Sequence, residues 1–95
     1  MTAREARALT RGKNHVVEAH HLLEQRHMIR WGMADQIDDS PAVVLRLEEH
    51  QPITKDLQNR LSYGRTYTKE EVWAEYQQAY RKYPDWLEAI RRYFK

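Results

Sequence analysis

Three glycines and three prolines in 95 residues leave few places where a helix must stop. Those six residues therefore constrain the fold more than any motif does. Thr2 and Glu5 have the spacing of a capping box and open a short arginine-rich helix, which Gly12 weakens. Asn14 is placed to cap a second helix that runs to Trp31, with Gly32 as its left-handed stop. Absorbing Gly12 at a cost of about 1 kcal/mol merges the two into one long helix. Residues 33–39 read as an acidic connection.

Ser40 and Pro41 pair a good cap with a proline suited to a first helical turn, and Pro52 closes that segment. Ile53, Leu57 and Leu61 recur every four residues and mark a helix ending near Gly64. Thr68 and Glu71 form a second capping box. It opens the best-patterned helix of the chain, with Val72, Trp73, Tyr76, Ala79, Tyr80 and Tyr83 on an arc of about 120°. Asp85 with Glu88 caps a last helix carrying Trp86, Leu87, Ile90, Tyr93 and Phe94, and Arg91, Arg92 and Lys95 suit its C-terminal dipole. The expected fold is all-α: a single domain over 1–95 with four to six helices, a central helix over about 14–31 and a basic N-terminal helix over 1–13.

One segment resists that reading. Val43, Leu45 and Leu47 alternate with Val44, Arg46 and Glu48, which is strand periodicity. No second strand is evident in the chain, so helix is preferred, with a strand paired across a homodimer as the alternative.

Composition narrows the class of function. The absence of Cys excludes disulfides, zinc knuckles and thiol chemistry and fits a reducing cytosol. Ten aromatics supply enough large apolar surface for a core despite 32% charged residues. No apolar run approaches a membrane span, and no signal-peptide core follows the basic N-terminus, so a cytoplasmic protein is expected. A net charge of +2 is too small to argue for nucleic acid by itself. The charges nevertheless fall in blocks: Arg4, Arg7, Arg11 and Lys13, then an acidic middle, then Arg60, Arg65 and Lys69, then Arg91, Arg92 and Lys95. Such blocks suit an oriented contact with a partner, and equally a solvated surface matched to helix dipoles.

Four of the five histidines lie between His15 and His27. On a helix turning about 100° per residue, His20, Glu24 and His27 share one face with Val16, Leu23 and Trp31. That ladder reads as a metal site, with His50 or an Asp of the acidic connection as a fourth ligand, a proton-responsive site or, more plainly, a hydrogen-bonded seam in a helix contact. The di-iron arrangement of Glu-x-x-His pairs on facing helices is not made, because both pairs occupy one segment. No cofactor is expected. Leu22, Ile29 and Met33 form a second apolar strip on the same presumed helix, which places it at the centre of a bundle or in a homodimer.

Nine of the ten aromatics lie between Tyr63 and Phe94, interleaved with arginines. They read as a tyrosine-rich core or as a binding hot spot built on Arg60, Arg65, Tyr67, Lys69, Trp86, Arg91 and Arg92. Residues 43–80, with Val44, Arg46 and Leu47, then Leu57 and Leu61, then Gly64 and Val72, resemble in outline the ribbon-helix-helix repressors. That resemblance implies a dimeric ribbon reading DNA with Val44, Arg46 and Glu48, although the residues before it depart from the family's N-terminal strand. Separately, the basic N-terminal helix with Arg4, Arg7, Arg11 and Lys13 is the other candidate for contacting DNA. No phosphate loop and no nucleophile elbow are present, so an enzyme is not expected. The sequence points first to a small non-enzymatic protein-binding module of regulator, inhibitor or adaptor type. A DNA-binding regulator is second, and a metal- or pH-responsive helix at His20, Glu24 and His27 is third.

Overall fold

A computed structural model describes residues 1–95. It corrects the all-α expectation: 59% of residues are helical, and 13% are extended, built around a two-stranded antiparallel sheet. The elements are α1 (Ala3–Thr10), β1 (Val17–His21), α2 (Gln25–Arg30), a 3-10 helix (Ala34–Asp39), β2 (Ala42–Arg46), α3 (Leu47–Arg60), α4 (Lys69–Ala79), α5 (Pro84–Ile90) and a closing 3-10 turn (Arg91–Phe94). The chain divides into two compact units, Met1–His50 and Gln51–Lys95, with the boundary inside α3.

In the first unit there is no helix over 14–31. Residues Val17–His21 are a strand, and only Gln25–Arg30 are helical. The partner that the strand-like segment near Val43 lacked was hidden in the histidine stretch. The register pairs Val17 with Arg46, Ala19 with Val44, His20 with Val43 and His21 with Ala42. The strand alternation of residues 43–47 was therefore the truer signal, and the pairing is within the chain, not across a dimer. Asn14 caps no helix, and Ser40 with Pro41 leads into β2. α3 begins directly after the strand at Leu47 and passes through Pro52. Glu49 accepts from the Arg46 backbone N–H at 3.1 Å, satisfying one donor at that abrupt start.

Alternation along the strands gives this sheet two unlike faces. Ala19 and Val44 pack toward the buried Ala3, Ala6 and Ala42, so α1 lies on one face through alanines that allow close approach. Glu18, His20, Val43 and Leu45 point to the other. The capping box of α1 is present, with Glu5 N–H donating to Thr2 Oγ1 at 3.2 Å and Thr2 N–H donating to Glu5 at 2.8 Å. α1 ends before Gly12, whose φ of +76° excludes it from a merged helix. Gly32 takes the left-handed conformation expected of a helix stop, at φ +74°. The two apolar strips proposed for 14–31 do not exist as such: Leu22 and Leu23 are buried together, whereas Val16 and Ile29 are exposed.

The second unit follows the sequence closely. Leu57 and Leu61 are buried with Val72, Tyr76, Tyr80, Ile90 and Tyr93. The Thr68 capping box closes at 3.1 Å to Glu71 N–H and 2.8 Å back from Thr68 N–H. α5 starts differently from the expectation: Tyr83 is its N-cap and Pro84 its first residue, so Asp85 lies inside the first turn instead of capping it. The Tyr76 and Tyr80 rings meet edge to face at 5.2 Å, and Tyr80 meets Trp86 the same way at 5.1 Å. These are the orientations that ring quadrupoles favour. No helix is long and apolar enough to cross a membrane.

Candidate functional site

Two groups of side chains have the chemistry to act, one in each unit. In the first unit the sheet face opposite α1 carries a histidine–carboxylate group. His20, on β1, is only 3% exposed. The His50 ring, from the first turns of α3, meets it edge-on at 4.9 Å. His50 Nδ1 is 3.8 Å from Glu18 Oε2, two residues before His20 on the same strand face. Glu24, which precedes α2, holds Arg26 at 3.0 Å and lies 3.5 Å from Nε2 of the buried His27. At 3.5 Å that contact is at the outer edge of hydrogen bonding. His27 in turn stacks on Trp31.

The electrostatics follow from burial. Loss of water pushes the His20 pKa down to about 3, and the neighbouring His50 adds to the fall, while Glu24 opposes it. His20 is therefore a neutral imidazole at neutral pH. Burial also lowers His21, on the opposite face, with Arg7 adding to the effect and Asp38 opposing it. Burial alone drives the Glu24 pKa upward, but His27 and Arg26 outweigh it and hold the carboxyl below its usual range. His20, Glu24 and His27 thus belong to a strand, a turn and a short helix, not to one helical face. No three His, Asp or Glu side chains in the chain converge as a set of metal ligands. What the arrangement does chemically is keep a neutral imidazole in the interior. His50 is the member that helical spacing could not place, because it joins His20 only once β1 and β2 are paired.

The cations expected to touch nucleic acid are mostly engaged. Arg4 pairs with Asp39 at 3.1 Å and faces Asp38, to which Arg7 also bonds. Arg46 lies between Glu48 and Glu49 at 3.6 and 3.2 Å. Arg11 and Lys13 are exposed beyond α1.

The second unit brings the aromatic and basic residues to its surface in several ways. Arg60 bonds both Asp56 oxygens at 3.1 Å and Glu75 at 3.2 Å, and the Asp56 contact chiefly raises its pKa further. Arg91 pairs with Glu88 at 3.1 Å and lies 5.3 Å from the Trp73 ring centre, and Trp73 packs on Phe94. Arg65 lies over the ring of Tyr67, whose hydroxyl accepts from Ser62 N–H at 3.0 Å. Arg92 donates to the Tyr93 hydroxyl at 2.7 Å, and Lys69 reaches the Lys95 carbonyl at 3.5 Å. Trp86 stacks on Tyr83 with ring centres 4.1 Å apart and planes 11° from parallel, and Tyr83 remains 39% exposed.

Beside that stack is an open groove of about 180 Å³ lined by Pro52, Ile53, Asp56, Ala79, Arg81, Lys82 and Tyr83. Sequence reasoning placed Ala79 and Tyr83 in a core stripe and passed over Arg81 and Lys82. The available signal was the pair of adjacent cations between Tyr80 and Tyr83. Comparisons with protein-family models, with characterised proteins and with solved structures found no match for this chain.

Proposed function

We propose that the protein is a small non-enzymatic binding module that recognises another protein through the aromatic and basic surface of residues 51–95. The observation that supports this best is the Tyr83–Trp86 stack, a pair of large rings held parallel with Tyr83 open to solvent. A pre-ordered aromatic loses little side-chain entropy on binding, which is why such residues act as anchors of protein interfaces. Arg65, Arg91 and Arg92, each placed over or against an aromatic ring, supply charged rims with restrained side chains. Arg60, Tyr67 and Lys69 complete the expected contact set, although Arg60 acts through Asp56 and Glu75, which it holds.

A DNA-binding regulator has less support. Arg4, Arg7 and Arg46 face carboxylates, and β2 spends its ribbon pairing on β1 of the same chain.

Selection of a phage-displayed random peptide library on the immobilised protein tests the reading. Enriched peptides should lose at least tenfold in affinity to Trp86→Ala or Arg91→Glu protein that retains its helical circular dichroism. A library that yields no enrichment, or peptides indifferent to both substitutions, would rule out this surface as the binding face.

A further inference from the structure

The groove beside Tyr83 points to the chemistry of the partner. Four of its lining residues, Pro52, Ile53, Ala79 and Tyr83, are apolar or aromatic. A cavity of about 150 Å³ accepts a benzene ring, so 180 Å³ takes one aliphatic or aromatic side chain. Three charged residues line it. The one carboxylate, Asp56, has both oxygens within 3.1 Å of the Arg60 guanidinium and is neutralised by it. The two cations have no such counterpart. Arg81 spends one N–H on the Gln78 carbonyl at 2.9 Å, and neither Arg81 nor Lys82 forms an ion pair with a carboxylate. Elsewhere in the unit, Arg60 and Arg91 each hold an acidic partner. The groove is thus an apolar slot with uncompensated positive charge at its lip.

We infer that this groove docks an acidic peptide segment of a partner protein, with one apolar side chain in the slot and flanking carboxylates on Arg81 and Lys82. The inference rests on the protein-binding reading and gives it a place and a partner chemistry. The division of labour is the usual one at interfaces. The apolar residue supplies most of the affinity, and the charges steer the approach and exclude basic partners.

The test uses the full chain and three labelled nine-residue peptides in a glycine–serine background. One has a central leucine flanked on each side by two glutamates, one replaces the leucine by alanine, and one replaces the glutamates by lysines. Fluorescence anisotropy should show saturable binding of the first, about tenfold weaker binding of the alanine peptide, and none of the lysine peptide. Amide shifts should be confined to the vicinity of Ile53, Ala79, Lys82 and Tyr83. Lys82→Glu, at an exposed position, should weaken the acidic peptide about fivefold and reduce its salt dependence.

Equal binding of acidic and lysine peptides, or binding unaffected by both the alanine replacement and Lys82→Glu, would overturn the inference. So would displacement of the peptide by oligothymidine at lower concentration, which would make the occupant a nucleic acid. Sedimentation showing a dimer whose contact shifts the same amides would make it a second copy of this chain. Library peptides that depend on Trp86 but are neither acidic nor sensitive to Lys82→Glu would remove the groove while leaving the protein-binding reading in place.

Discussion

The two units solve the problem of a small core with different materials. Residues 1–50 hold all five histidines, and residues 51–95 hold nine of the ten aromatics. In the first, a helix meets a two-stranded sheet through alanines, and the sheet's other face buries a neutral imidazole. In the second, helices enclose tyrosine, leucine and valine, with edge-to-face rings in the centre. The lesson is that stability is tied to proton concentration in one unit and to apolar volume in the other. An imidazole is retained in an interior only while it stays neutral, whereas a tyrosine core has nothing to titrate near neutral pH.

The sharpest way to break this comparison is to empty the second core. Tyr76 is fully buried, and Tyr76→Ala should cost roughly 3–5 kcal/mol, as truncation of a buried aromatic does. Urea unfolding followed by circular dichroism measures it. A nearly silent substitution would mean that the ring does not fill the core, and the contrast drawn here would fail.

Acidification tests the first unit. The His20 pKa is depressed in the folded state, so its ordinary value near 6.5 applies to the unfolded chain. The unfolded state then binds the proton first, and stability that is complete above about pH 6.5 is lost as pH falls toward 3. Between pH 7 and pH 5, above the range where carboxylates titrate, the loss should be about 2 kcal/mol. His20→Phe should make that limb shallower, leaving the share of His21, whose pKa burial also lowers, and the carboxylate-dependent limb at lower pH. Nuclear magnetic resonance titration that finds His20 protonating near 6.5 in the folded protein would show that the imidazole is not buried as described.

A smaller effect compares the two units directly. Thr2→Ala and Thr68→Ala each remove a capping-box acceptor and should each cost about 1 kcal/mol. The Thr68 effect should be independent of pH between 5 and 7, because the helices it supports bury no histidine. Parallel pH dependence for the two variants would argue against separate sources of stability.

The smallest expected effect is at the surface. Asp38→Asn loosens the contacts with Arg4 and Arg7, whose side chains are open to solvent, and should leave stability almost unchanged. Arg7 hydrogen bonding holds the Asp38 carboxyl below its usual range, so this contribution is present at neutral pH and fades as acid protonates the group. A drop in the denaturation midpoint as large as that of Thr2→Ala would show the pair to be more than a screened surface contact.

Local physics alone determined parts of the second unit and some helix ends. The capping boxes at Thr2 and Thr68 and the left-handed Gly32 depend on neighbours within four residues, so the sequence specifies them unaided. By contrast, the stripe expected to reach Tyr83 stops at Tyr80, and the expected ends at Asn14, Pro52 and Asp85 are not made. Residues 14–31 carry a false helical signal, because His20, Glu24 and His27 have helical spacing although Val17–His21 is a strand. Their conformation depended on a strand more than twenty residues away. Pairing Val17–His21 with Ala42–Arg46 sets Ala19 and Val44 against Ala3 and Ala6 and buries His20 on the other face, packing that a separate helix in either segment would not make. The same pairing turns His20 inward and leaves it beside His50, a neighbourhood that no periodicity encodes. Likewise, the composition alone shows many cations, but only the folded second unit separates those held by carboxylates, such as Arg60, from Arg81 and Lys82 at the groove. Charge compensation is a property of distances between elements, and those distances exist only in the tertiary structure.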